Sequence, residues 1–364
     1  MNVRSRFRNP VPVAVLALSL LLSACGDGGT TAAPVADPSL PGPYPVGVTR
    51  VEFFDVSRGR TLLTEIWYPA DQSARGEAPA PAVTYLPEGL GFLADNATVP
   101  LVAVRDVPLA PGAPFPLAIF SHGSGGIRFQ NSFQCEHLAS HGFIVVAMDH
   151  QGNTFFDDSG EPEQLREDRP LDLLYTLDRF VEASGDPGSP FEGWVDRQMG
   201  IGAFGHSFGA FTSLAAAGLD SRIDAVYAMA LGGPVASGYD AATFLALATV
   251  DNTIGPVGND AIYATYDLLP APRFLSELED AGHYSFSFAC QTGLGIGDGD
   301  GCGTGVRFDG SEVTFISDLA VWGVTNTYSA AFFGRYIKGI TGYDEVLTTT
   351  LAPEFNRYSY DLGD

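Results

Sequence analysis

The chain has 364 residues, 45% of them hydrophobic and 17% charged, and its 43 acidic residues against 19 basic ones give a net charge of −24. That balance argues against nucleic acid and other strongly anionic surfaces as partners, because a protein must bring cations to meet phosphates. It favours solubility and carries no information about chemistry.

Arg4, Arg6 and Arg8 form a basic start, an apolar run follows from Val11 to Leu22, and Leu22-Ser23-Ala24-Cys25 closes it. A run of about 12 apolar residues falls short of the ~20 needed to span a bilayer, so residues 1–25 read as an export signal. Its ending resembles a bacterial lipobox, in which Cys25 would be lipidated and become the first residue of the mature chain. Without the signal, 16 basic residues remain against 43 acidic ones. Residues 26–44, rich in Gly, Pro, Thr and Ala, read as a flexible tether. Residues 45–364 are enough for one large domain, and no further apolar run is long enough to cross a membrane.

Strand-like and helix-like runs then alternate. GVTRVEFFDV and TLLTEIWYPA predict two strands around a turn at Ser57–Arg60. The Pro- and Ala-rich stretch 71–113 fits no element; a structureless insertion that long points to a lid or a pocket wall. PLAIFSHG (116–123) is an apolar strand ending in glycine, followed by a helix carrying Cys135 and by the strand FIVVAMDH (143–150). A helix is expected over Leu171–Ala183, then the strand MGIGAFGHS (199–207). AVYAMAL (225–231) and TFLALATVD (243–251) are two more strands, and a last helix is expected from Val313 to Ile340. Buried apolar strands alternating with helices predict an α/β fold, a mostly parallel sheet covered on both faces.

Ligands of such sheets sit at the carboxyl ends of the strands, and the suggestive residues fall there. Ser207 ends the fifth of these strands inside Gly205-His206-Ser207-Phe208-Gly209, with a helix behind it. A serine on a sharp strand-to-helix turn needs small neighbours, since larger side chains would strike the strand and helix. This marks Ser207 as a candidate nucleophile, and serine at this position excludes an aspartate nucleophile. Of the histidines, His283 alone follows Ser207 in the chain, in DAGHYSFS, which suits the order serine, acid, histidine. Asp251, at the end of TFLALATVD, is the candidate orienting acid, with Asp240 in GGPVASGYD as the runner-up; Asp260, Glu277, Glu279 and Asp280 read as solvated charges. An oxyanion hole needs backbone N–H groups aimed where negative charge develops. The candidates are Phe208, after the nucleophile, and Ser124, in the turn His122-Gly123-Ser124-Gly125-Gly126. Together these groups would transfer an acyl group through Ser207 to water; a transacylase would look the same.

With these residues in place, the chain resembles α/β-hydrolases of the group that includes plasma-type platelet-activating factor acetylhydrolases and bacterial dienelactone-hydrolase-like esterases. The carriers are YPVGVTRVEFFD, RTLLTEIWYPA, FSHGSGG, HLASHGFIVVAMDHQGN, RPLDLLYTLDRF, GHSFGA and DAGHYSF, spread over nearly everything after residue 44. The resemblance implies acetylhydrolase-like hydrolysis of carboxylic esters, of short-chain or phospholipid acyl type, without metal or organic cofactor. Two departures stand out. Those acetylhydrolases carry their aspartate just after the strand following the elbow, where this chain reads ALGGPVAS, while DNTIGPV resembles a segment of bacterial cutinases and polyester hydrolases. Dienelactone hydrolases proper use a cysteine nucleophile. The alternatives are therefore a cutinase-like polyester hydrolase and a non-catalytic surface lipoprotein using the fold as a binding scaffold. The location expected is the bacterial cell envelope, with attachment to the membrane through Cys25.

Cys290 and Cys302 enclose a short Gly/Asp-rich loop and are a possible disulfide in an oxidising setting; Cys135 reads as a buried free thiol. No cysteine pair has metal-ligand spacing. Asp298 and Asp300 fall short of a calcium site and read as surface-loop charges. Trp67, Phe208 and Tyr284 are candidates to line an acyl or aromatic pocket, Trp67 equally one for the core, and His150 reads as structural.

Overall fold

The computed structural model describes residues 35–363. The export signal, Cys25 and the first part of the tether lie outside the described residues. In chain order the elements are β1 (Val46–Asp55), β2 (Arg60–Pro69), β3 (Val104–Arg105), β4 (Leu117–Ser121), α1 (Ser132–Ser140), β5 (Ile144–Met148), α2 (Pro162–Gly185), β6 (Ile201–His206), α3 (Phe208–Leu219), β7 (Ile223–Met229), β8 (Ala242–Ala248), α4 (Gly255–Leu268) and β9 (Arg273–Leu278), followed by β10 (Thr304–Val306), β11 (Glu312–Thr314), α5 (Asp318–Tyr336), α6 (Asp344–Leu347) and β12 (Asn356–Asp361).

One sheet runs in the order β12-β9-β8-β7-β6-β4-β5-β2-β1-β3. Its middle, from β5 to β9, is parallel, while β2 joins β5 and β12 joins β9 antiparallel. This is the α/β arrangement expected from the apolar strands, which are buried on both faces.

Alternation along those strands sorts the core into two layers. Phe120, Phe204, Tyr227, Phe244 and Phe274 are partners across β4, β6, β7, β8 and β9, so one face carries an aromatic row five strands wide. Phe332 of α5 packs edge-on against Phe244 and Phe274, with ring centroids 5.9 and 5.8 Å apart. The opposite face, with Ile119, Ala203, Val226 and Leu245, packs on Leu173 and Leu177 of α2 and Leu214 of α3. Truncating a buried Phe of this kind to Ala costs about 3–5 kcal/mol.

Several expectations change. The stretch 71–113 is not structureless: it contains three short 3-10 turns and β3, which adds to the sheet edge beside Gly47 and Val48 of β1. Its Pro and Ala content masked turns held together by backbone hydrogen bonds. The last helix starts at Asp318 rather than Val313, because Val313 pairs with Gly305 in a small hairpin and the Ser317 side chain caps Leu319 N–H. The helix expected from Leu171 begins at Pro162 and runs through Pro170; proline there forfeits one backbone donor without ending so long a helix. From Pro38 the expected tether lies against the end of α1. His137 and His141 donate from Nε2 to the Pro38 and Leu40 carbonyls at 2.9 Å each, and Gly42 N–H donates to Ser140 Oγ at 2.8 Å. The two histidines and the serine offer this turn-containing segment the partners that its composition did not reveal. Among the described residues no helix is long and apolar enough to cross a membrane.

Candidate active site

Register brings the site together. Ser121 at the end of β4 faces Gly205 of β6 on one side and Met148 of β5 on the other. The turn after β4 and the turn after β6 therefore emerge side by side at the carboxyl edge of the sheet. Between β6 and α3, Ser207 takes φ 54° and ψ −123°, a left-handed conformation for a residue with a side chain, which costs on the order of 1–3 kcal/mol. Its glycine neighbours have a steric cause. A Cβ on Gly209 would overlap the Ser121 carbonyl, and one on Gly205 would overlap the backbone of Gly209.

His283 follows β9 in a short 3-10 turn, and Asp251 lies three residues beyond β8. Asp251 is fully buried. His283 donates from Nδ1 to Asp251 Oδ2 at 2.7 Å, while Asp251 Oδ1 accepts the Ile254 N–H at 3.0 Å. A carboxylate can only accept, so the Nδ1 proton fixes the tautomer and leaves Nε2 free to act as a base. Ser207 and His283 line one cleft, about 710 Å³ including its open mouth, with Gly123, Ser124, Gly125, Gly126, Tyr284 and Phe288. Asp240 is exposed in the loop before β8 and has no part in this pairing. Among the described residues, the N–H groups of Ser124 and Phe208 have no hydrogen-bond partner within the protein.

Gln130, Arg169 and Asp300, to which sequence reasoning gave no part in the site, hold these parts in place. Gln130 accepts the Gly123 N–H at Oε1 (3.1 Å) and donates from Nε2 to His206 Nδ1 (2.8 Å). His206 in turn donates from Nε2 to the His283 carbonyl at 2.9 Å. One chain of hydrogen bonds thus joins the 123–126 turn, the elbow and the His283 turn. Burial, followed by the neighbouring His283, drives the His206 pKa well below its usual value, so its ring is neutral.

Arg169 of α2 is wholly buried beneath the same turn. It donates to the His122 carbonyl, to Ser121 Oγ at 3.1 Å and to Asn153, and its guanidinium lies 4.5 Å from the Phe208 ring centroid. Burial lowers its pKa to about 9. His150, also buried, has its pKa pushed down to about 4 by desolvation and by Arg169. It donates from Nδ1 to Asp172 at 3.1 Å and accepts from Ser121 Oγ at 2.9 Å, a structural position. Burial alone would raise Asp172, yet hydrogen bonds from His150 and Arg60 hold it at about 2.

The third is Asp300, and here the surface-charge reading is corrected. Asp300 is 9% exposed and accepts the N–H groups of His283 (2.9 Å) and Asn252 (3.0 Å) at Oδ1 and the Thr253 hydroxyl (2.7 Å) at Oδ2. The loop carrying it is closed by a Cys290–Cys302 disulfide, and Cys135 is a buried free thiol. No cluster of potential metal ligands occurs among the described residues. Trp67 lies in the core, stacked at 6.4 Å on Tyr85, rather than in the cleft.

The sequence profile of the family described as "Platelet-activating factor acetylhydrolase, isoform II" matches residues 30–164, which include the 123–126 turn and end before the elbow. The platelet-activating factor acetylhydrolase of Cavia porcellus is 27% identical over 229 residues, covering 50% of this chain and 52% of that protein. The Gallus gallus protein of the same name is 29% identical over 130 residues, covering 31% and 30%. The chain spans about half the length of the first curated relative it matches. Among solved structures, a ferulic acid esterase from Streptomyces cinnamoneus superposes with a TM-score of 0.66 at 23% identity, covering 90% of this chain and 98% of that one. The chain has the α/β-hydrolase fold and is similar to the platelet-activating factor acetylhydrolases.

Proposed function

We propose, from that fold and similarity, that the protein is a serine carboxylic ester hydrolase. The observation that carries the reading is the buried Asp251–His283 hydrogen bond of 2.7 Å, made by a histidine that lines one cleft with Ser207. His283 Nε2 takes the Ser207 hydroxyl proton as Oγ attacks the ester carbonyl. The oxyanion that forms is met by the N–H groups of Phe208 and Ser124, each worth about 3–4 kcal/mol of barrier. His283 then passes the proton to the departing alcohol. Water, deprotonated by the same imidazole, attacks the acyl-enzyme and frees the acid and Ser207. Asp251 holds the ring in register and stabilises its cationic form. Neither metal nor organic cofactor enters these steps.

The basic start and the Leu22–Cys25 ending support export and lipid attachment at Cys25, which would put the cleft at the cell envelope with esters or lipids as substrates. The test is hydrolysis of p-nitrophenyl acetate, together with labelling by a fluorophosphonate, by the full chain and by Ser207→Ala. Turnover and labelling that both vanish in the variant are expected. Folded wild-type protein that does neither would leave the non-catalytic scaffold as the better reading.

A further inference from the structure

Next to the Ser207 cleft lies a second, narrower one, about 600 Å³ including its open mouth, and the two share Ile127, Phe155, Phe288 and Ile296 as a common wall. No charged side chain lines it, in a chain with a net charge of −24. One side is built by the 71–113 insertion, through Tyr85, Leu93, Val99 and Leu101; the other comes from Phe288 and from Leu294 of the disulfide-closed loop. The two sides are tied where Thr98 donates to Gln291, from N–H to the carbonyl at 2.7 Å and from the hydroxyl to Oε1 at 2.7 Å. At the mouth Phe155 and Leu294 remain 49% and 44% exposed. Apolar surface gathered around an uncharged slot is what an apolar ligand would cover.

We propose that this second cleft is the acyl subsite, and that the preferred substrates are esters of medium-chain apolar acids rather than acetyl esters. The inference rests on the esterase reading above. Of the two halves of an ester, the acyl group stays bonded to Ser207 until water arrives, whereas the alcohol must leave. A side slot that adjoins the Ser207 cleft and shares its wall suits the half that stays. Each methylene moved from water into the slot contributes about 0.8 kcal/mol when fully buried, or roughly fourfold in kcat/KM.

The experiment compares kcat/KM of the full chain for p-nitrophenyl acetate and octanoate, in wild type and in Ala97→Phe, which fills the slot from its half-buried rim; Ala94→Leu serves if the first variant does not fold. Wild type is expected to favour octanoate at least tenfold, and the variant to lower the octanoate-to-acetate ratio at least tenfold. Equal or lower rates on octanoate, or an unchanged ratio in the folded variant, would overturn the subsite while acetate turnover and fluorophosphonate labelling kept the esterase reading intact. A gain found with hexyl over ethyl acetate, and not along the acyl series, would assign the slot to the alcohol and overturn the proposal. Absence of both turnover and labelling would sink the esterase reading and the subsite with it.

Discussion

The Asp300 carboxylate accepts the backbone N–H of His283 at 2.9 Å, and the same oxygen accepts the N–H of Asn252, the residue after Asp251, at 3.0 Å. One buried group therefore sets the spacing between the turn bearing Asp251 and the turn bearing His283. Replacing Asp300 with Ala leaves two N–H donors without their partner, at about 1–3 kcal/mol each. The histidine turn is then free to drift, and misplacement by about 1 Å can cost 10²-fold in rate. The expected outcome for Asp300→Ala is a lower urea midpoint and a 10- to 100-fold fall in kcat, with Asp300→Asn recovering part of both. A variant with wild-type kcat would show that Asn252 and His283 keep their places unaided.

Arg169 sits under both oxyanion donors of the proposed mechanism, holding the His122 carbonyl before one and stacking on the Phe208 ring of the other. A lysine keeps the charge but loses the planar fork and the face that stacks. Arg169→Lys is expected to lower kcat about 30- to 100-fold per labelled active site with KM nearly unchanged, as for loss of a group that acts in the transition state. Counting sites with a fluorophosphonate separates this from a smaller folded fraction. A proportional loss of labelled sites with normal kcat per site would make Arg169 purely structural.

What the sequence disclosed and what it hid have a common cause. Backbone sterics marked Ser207 and chain order singled out His283, whereas the choice between Asp251 and Asp240 needed the structure, in which Asp251 pairs with His283. Asp300 lies 17 residues beyond His283 in a Gly-rich loop, and nothing local separates a carboxylate that gathers buried N–H groups from one facing water. Arg169 is part of the helical pattern of α2; its burial follows from how α2 lies on the sheet. The order within the insertion was hidden for the same reason. Its strand β3 pairs with β1 and its Thr98 bonds to Gln291, contacts between distant segments that periodicity does not register.

The Cys290–Cys302 bond closes the loop that presents Asp300 to the site. Residue Gly297 within it is packed so that a Cβ would come 3.0 Å from Tyr284 Cβ, beside His283. Closing a loop of this size stabilises a chain by roughly 3 kcal/mol in the entropic account. The Cys290→Ser/Cys302→Ser double variant is expected to unfold at lower temperature and to lose activity along with the stability. Wild-type protein should show the same loss in dithiothreitol, and the variant no further effect. Full activity in the reduced enzyme would mean that Asp300 is held by its hydrogen bonds alone.

Glu136 of α1 is buried with its carboxylate facing the backbone of the insertion, accepting the N–H groups of Val102 (3.1 Å) and Ala103 (3.0 Å). Burial raises its pKa to about 8 from the ordinary 4.5, against the pull of those two donors. Between these values the folded protein binds more protons than the unfolded chain, so the contribution to stability is complete below about pH 4.5 and is lost as pH rises through about 8. His137 in the same helix has its pKa lowered to about 4 by burial, which gives a slope of the opposite sign, confined to pH below about 6.5. Glu136→Gln keeps an oxygen for Ala103 and cannot ionise. Subtracting the wild-type Tm from that of the variant removes the histidine effect common to both. The difference is expected to grow in favour of the variant from pH 5 to pH 9, by about 2–4 °C for each kcal/mol of ionisation cost removed. A difference that stays flat across this range would mean that the carboxylate is already ionised in the fold at pH 5, with the two N–H donors outweighing its burial.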